Sequence, residues 1–426
     1  MLLNGLDKID WPNIRHSHGR ATEFPTWIRQ LLSDESEVRE NAQENLFEYS
    51  NHQGSIYEVT PYLVPFLIEL VAAEDTPDKA ELLYHLASVG KSCRWSVARS
   101  VYGGDEHETY ERVQAGLDTY LSLLEDGDPR VRLAAFYAAA FVRQFGPIWD
   151  VLNAFTAAIE RESDSGVKAE MISLLPDYAK GHVPQRMPES IRKRCEALAA
   201  FLLAQAQPGE ANRVRLNAAL AYLELFGEWT RDAAHFPALF EDTLRDPDAY
   251  CPSGAFLTSV SSVIEQTIKG LAYLPRVTQL ALLAEGVKAA RYPDDAHLIG
   301  RALLDTIFYG SARADYTIDR AASGPRLAFR HLMEGDRAER PDNNEVAFRE
   351  RSWQSQEEAR RAGRYYYTDA PEPDLTALSA LEQRLLRLVL DTDMVWMLHS
   401  NLLALYGLPP ERAAARKLLD RATNHR

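Results

Sequence analysis

The stretch that decides the fold is Leu123-Leu124-Glu125-Asp126-Gly127-Asp128-Pro129-Arg130-Val131-Arg132-Leu133-Ala134-Ala135-Phe136-Tyr137-Ala138-Ala139-Ala140-Phe141-Val142. It reads as the end of one helix, a tight acidic turn and a second helix. In that second helix Leu133, Phe136, Tyr137, Ala140 and Phe141 recur at helical spacing and form one apolar face. The turn aspartate can cap the helix by accepting a hydrogen bond from a free N–H of its first turn. Pro129 fits that turn because its missing donor is not needed there. Ala134, Ala135, Ala138 and Ala139 let neighbouring helices approach closely. Arg132 reads as a structural contact to the preceding turn rather than as a binding residue.

The same pattern recurs. Asp34 to Arg39 precedes Ala42, Leu46 and Tyr49. Ser163 to Lys168 precedes Ile172 and Leu175. Asn212-Arg213-Val214-Arg215 precedes Leu216, Leu220 and Leu223. The motif valines stand at 38, 131, 167 and 214, in steps of 93, 36 and 47 residues; the first equals about two units of ~46, close to the ~40–47 of helix-pair repeats, while the second is short, so the array is irregular. Period-two alternation bounded by turn signals is absent. The expected fold is therefore all-α, an α-α superhelix. Residues 1–334 form the array, 335–375 a polar and aromatic insertion, and 376–426 capping helices. Among the expected helices are 78–90, 108–125, 314–333 and 394–407. The last contains Met394 to Leu398 and Leu402-Leu403.

Composition bounds the function. Apolar residues make up 46% and charged residues 26% of 426 positions, a globular balance. The longest apolar run, Leu133 to Val142, is too short for a bilayer. The first residues lack a basic segment followed by an apolar one, so no signal peptide and a cytosolic location are expected. Cys93, Cys195 and Cys251 are widely spaced, as expected for small buried hydrophobes and not for a disulfide framework or zinc site. The net charge of −15 disfavours nucleic acid as a partner.

The N-terminal text carries a resemblance. Ile9-Asp10-Trp11, His16, Gly19 and Phe24-Pro25 lead into the Ser33-Asp34 turn with Val38-Arg39. The string His52-Gln53-Gly54-Ser55-Ile56-Tyr57-Glu58-Val59-Thr60 follows, then Val64-Pro65-Phe66-Leu67. The chain resembles the HEAT-repeat superfamily, and about its first 70 residues are similar to a group of bacterial HEAT-like proteins. The resemblance implies a protein-interaction role, because some such proteins are partners or inhibitors of toxins. It transfers no defined activity.

No chemistry announces itself. His16 and His18 are two apart and cannot chelate from one helix face, so Trp11, His16, Gly19, His52, Gln53, Gly54 and Tyr57 read as structural, with Gly54 permitting a positive φ. Gly90-Lys91-Ser92 mimics the end of a phosphate loop, but His85 stands where the motif needs glycine. The acidic run Asp105 to Glu111 suits a helix N-terminus. Thr258, Ser259, Ser261 and Ser262 lack the elbow of a nucleophilic serine. The region richest in arginine and aromatics holds Trp353, Arg360, Arg361, Arg364, Tyr365, Tyr366 and Tyr367, a composition typical of protein contacts. No catalytic residue, metal or cofactor is expected. The expected partner is one protein, basic by charge complementarity, with no membrane. The alternatives are a HEAT-like enzyme on nucleic acid in the manner of a DNA glycosylase, a lyase-type accessory protein, and a peptide binder using inner-face asparagines such as Asn217.

Overall fold

The computed structural model describes residues 2–99, 105–142, 148–179, 189–226, 233–251, 260–310, 373–397, 402–409 and 411–424. These residues are overwhelmingly helical, and the all-α class expected from the sequence holds. They divide into two compact units, Met1–Phe226 and Gly227–Arg426. The expected helix 314–333 and most of the 335–375 insertion lie outside the described residues.

In the first unit the helices come in pairs: α1 (Phe24–Gln30) with α2 (Ser36–Ser50), α3 (Thr60–Ala72) with α4 (Lys79–Arg99), and α5 (Asp105–Ala115) and α6 (Leu117–Ser122) with α7 (Pro129–Phe141). Then come α8 (Ile148–Arg161) with α9 (Ser165–Ala179) and α10 (Glu189–Gln205) with α11 (Asn212–Phe226). The second members touch in succession, α4 on α7, α7 on α9 and α9 on α11. Lys79 opens α4 about midway between Ser36 and Pro129, so the long valine interval hides one whole pair. Ala134, Ala135, Ala138 and Ala139 are fully buried in α7, whereas Leu133 and Tyr137 are only half-buried. The buried face is thus broader than the five-residue stripe, because α7 has helices on several sides.

Three expectations need correction. The stretch expected as one helix over 108–125 breaks at Gly116 and ends in a 3-10 turn, Leu123–Glu125. The expected helix 78–90 continues to Arg99, and Gly90-Lys91-Ser92 lies inside it. Two short strands, β1 (Arg15–His16) and β2 (Gly19–Arg20), pair antiparallel with Arg15 opposite Arg20.

The second unit contains α12 (Phe236–Arg245), α13 (Val260–Leu271), α14 (Arg276–Ala289), α15 (Pro293–Tyr309), α16 (Ala380–Asp391) and α17 (Arg412–Asn424). A capping box between Ser379 and Glu382 starts α16. Arg276 pairs with Glu382 and donates to the carbonyls of Thr306 and Ile307, which ties α14, α15 and α16 together. The apolar text expected as helix 394–407 forms 3-10 segments at Asp393–Trp396 and Leu402–Tyr406 instead. Val395 packs closely on Gly300, where an added Cβ would lie 2.9 Å from its side chain.

Candidate functional site

The N-terminal motif residues come together, as a packing cluster. Trp11 is buried, donates from Nε1 to the Leu6 carbonyl at 2.8 Å and stacks on Phe24. The hairpin docks on the end of α2 and the loop after it, with Ser17 N–H donating to Tyr49 O and Val59 N–H to Arg15 O. His16 and His18 both pack against the Tyr49 ring, and His18 meets His52 edge-on at 5.5 Å. His52 Nδ1 lies 2.6 Å from Glu48 Oε1, one turn earlier. Burial lowers the His16 pKa, while its bond to Arg20 O opposes that shift. Gln53 and Gly54 are consecutive left-handed residues, with φ of 50° and 78°. The glycine is suited to this and the glutamine is strained. Gly19 has no such need: an added Cβ would meet His16 Nε2 only at 3.8 Å. Tyr57 is half-buried, and its N–H donates to Thr60 Oγ1. No three metal-ligating side chains converge among the described residues.

A serine–histidine hydrogen bond does occur, between Ser50 Oγ and His85 Nε2 at 3.1 Å. Both residues are buried, and His85 stacks face to face on Phe47 at 3.8 Å. Desolvation pulls the His85 pKa down to about 3. A nucleophile sealed from solvent beside so weak a base is a staple between α2 and α4, not a reaction centre. Burial likewise pushes the Cys93 thiol up to about 12, which makes it inert. Cys195 is buried as expected, but Cys251 is only partly so.

The motif cations form a ladder. Arg39 donates to the carbonyls of Ser33 and Asp34 at 2.9 and 3.2 Å, and its Nε reaches Asp78 Oδ2 at 2.6 Å. Arg132 repeats the geometry on the carbonyls of Asp126 and Gly127, at 2.9 and 3.2 Å, and grips Glu162 with two bonds of 2.7 and 2.8 Å. Lys168 Nζ reaches Glu210 Oε2 at 3.1 Å. The expected contact to the preceding turn is there, and a rung to the turn before the next second helix accompanies it. Burial alone would raise the Glu162 pKa, but the bonds from Arg132 and from the Asp164 N–H hold it below the usual carboxylate range. Two turn aspartates cap as expected, Asp128 accepting from Arg130 N–H and Asp164 from Gly166 and Val167 N–H, whereas α2, with Glu35 at its N-cap, has no side-chain cap.

One rung is missing. In α2, α7, α9 and α11 the fourth helical residue is Arg39, Arg132, Lys168 or Arg215; in α4 it is Leu82, fully buried. Between the turns that open α4 and α7 lies a crevice of about 280 Å³. Glu74, Asp78, Glu81, Asp126 and Asp128 line it with Thr76, Ala80 and Val131, against two cations, Lys79 and Arg130. Arg130 is spoken for by Glu81, and Asp78 by Arg39. Sequence reasoning missed this place, although the long interval between Val38 and Val131 was its signal.

The arginine- and aromatic-rich set Trp353, Arg360, Arg361, Arg364, Tyr365, Tyr366 and Tyr367 lies outside the described residues, as do Thr258 and Ser259 and the side chains of Ser261 and Ser262. Asn217 is no inner-face peptide ligand: it is buried and donates to the Ala169 carbonyl at 2.7 Å, joining α11 to α9. No helix of the described residues is long and apolar enough to cross a membrane. Comparison with protein-family models, curated proteins and solved structures finds no match.

Proposed function

We propose that this chain is a non-catalytic protein-interaction scaffold: a HEAT-like α-α superhelix whose second helices line a surface that grips one basic protein, as an immunity or regulatory factor for it. The observation that carries this reading is the recurring rung from the motif cation of one helix pair to a carboxylate in the turn of the next. A device repeated with the helix pairs belongs to a stacked array, and such arrays present extended binding surfaces. The net charge of −15 and the acidic crevice supply complementarity to a basic partner. A nucleic-acid enzyme would need a basic groove with an aromatic and a carboxylate at its floor, and the crevice has the opposite sign.

The test is capture on the immobilised full chain from extract of its own source cell, with the eluted proteins identified at low and at high salt. The expected result is one basic protein that is lost as salt rises. Captured proteins that are never basic, in complexes indifferent to salt, would overturn the reading.

A further inference from the structure

We infer that the crevice between the turns opening α4 and α7 is a binding site for an arginine side chain of a protein partner, which supplies the rung that α4 lacks. The inference rests on the reading of the chain as a binder of a basic protein and names the place where it grips.

Three independent observations converge. The first is the interrupted ladder. Every other second helix of the first unit carries a cation at its fourth residue, and α4 carries Leu82. Arg39 and Arg132 show what such a cation does: it reaches the turn carboxylate of the following pair. The turn before α7 offers Asp126 and Asp128, with no arginine from α4 to meet them. Asp126 Oδ1 accepts only from the Asp128 N–H of its own turn, and Asp128 Oδ1 from the Arg130 N–H. Each carboxylate has acceptor capacity for more than one donor.

The second observation is the space. A cavity of about 280 Å³ occupies this gap; of the five carboxylates that line it, Asp78 is met by Arg39 and Glu81 by Arg130, which leaves Glu74, Asp126 and Asp128 beside the one other lining cation, Lys79. It sits at the lower bound of ~300 Å³ for small-molecule sites and has room for one long side chain. The third is Thr76, which lines the cavity, is only 7% exposed, and has a hydroxyl without a hydrogen-bond partner. Buried polar groups are paired in nearly all native structures, so an orphan hydroxyl in the cavity wall marks a hydrogen-bond partner still to be supplied. A guanidinium fits best: its planar fork of five donors can meet a carboxylate through two bonds and still have N–H groups for a hydroxyl. A metal ion fits poorly, because no three ligating side chains converge among the described residues.

The test titrates the full chain with a fluorescein-labelled peptide carrying arginines spaced by glycines, followed by fluorescence anisotropy at moderate salt. The site variant is Glu74→Gln with Asp126→Asn. The control is Asp118→Asn with Glu160→Gln, two exposed acids away from the crevice, so both variants carry the same net charge. The site pair is expected to weaken binding about tenfold and the control less than twofold. Thr76→Val, which should raise Tm by removing the orphan hydroxyl, is expected to weaken binding as well. That combination separates a binding role from a structural one. Equal effects of the two double variants overturn the site while leaving the wider reading intact, since net charge would then be the attractor. Absence of binding in every form overturns it too, and the capture experiment then decides the wider reading alone. Replacing peptide arginine by lysine should weaken binding to the wild-type chain but not to the site variant.

Discussion

At the scale of single residues, two buried groups make stability depend on pH in windows that begin at different pH and overlap in acid. Glu162 has a side chain 1% exposed and is held ionised by Arg132. Its folded pKa lies below its unfolded value, so it contributes stability that is complete above the ordinary carboxylate range and is lost as pH falls through the folded pKa. Glu162→Gln should destabilise the chain by about 1–3 kcal/mol at neutral pH, because it leaves Arg132 half-buried beside an uncharged amide. It should also flatten the acid limb below about pH 4.5, which denaturant melts across pH 3 to 7 would read. A mutant limb as steep as wild type would discredit this account. His85 acts higher. Its folded pKa of about 3 is below the unfolded value, so its contribution is present above about pH 6.5 and declines as pH falls toward 3. The slope is on the order of 1.4 kcal/mol per pH unit at most. His85→Gln should reduce the drop in Tm between pH 6.5 and 4.5, leaving the smaller contribution of His16, whose shift has the same sign.

At the scale of elements, packing leaves no room for a side chain at the break between α5 and α6. An added Cβ at Gly116 would lie 2.4 Å from the Tyr120 hydroxyl and 2.9 Å from Ile68 Cδ1. Tyr120 is fully buried and donates to the Val113 carbonyl at 3.1 Å, so it has no room to yield. Gly116→Ala should cost about 1–3 kcal/mol as overpacking, despite the better helix propensity of alanine. A variant that melts at or above the wild-type temperature would show that the ring can move. This break was illegible in the sequence because apolar spacing continues across Gly116, and spacing alone cannot see a ring folded back on the backbone. The β1–β2 hairpin was illegible for another reason: two-residue strands are too short to show alternation. Helix pairs with strong caps and periodic faces, such as α7 after Asp128, were legible because local and tertiary signals agree there. The crevice lay between these cases. Asp126 and Asp128 read as ordinary turn residues, and only placing the start of α4 at Lys79 reveals that Leu82 stands where its counterparts are cations.

At the scale of the whole molecule, the first unit invites a direct experiment. Its second helices contact their sequential neighbours, α4 on α7, α7 on α9 and α9 on α11, and its rungs join one pair to the next. Where helices contact chiefly their sequential neighbours, stability is close to a sum of unit terms and nearest-neighbour terms. The first unit's N-terminal end has a closure of its own: Trp11 stacked on Phe24, and the hairpin seated on the end of α2 and the loop after it. Residues 1–226 make up one of the two compact units of the chain. A chain shortened to end at Phe226 is therefore expected to fold by itself, with a helical far-UV spectrum, a near-UV signal from its packed aromatics and a cooperative thermal transition. Glu162→Gln in that shortened chain should lower stability by the same free energy as in the full chain, within about 0.5 kcal/mol, because its partners Arg132 and Asp164 are all retained. A shortened chain with helical signal but no near-UV signal, binding a hydrophobic dye, would mean that the first unit takes its specific packing from the remainder of the molecule. An unequal effect of the substitution would mean that the rung is coupled to groups beyond Phe226.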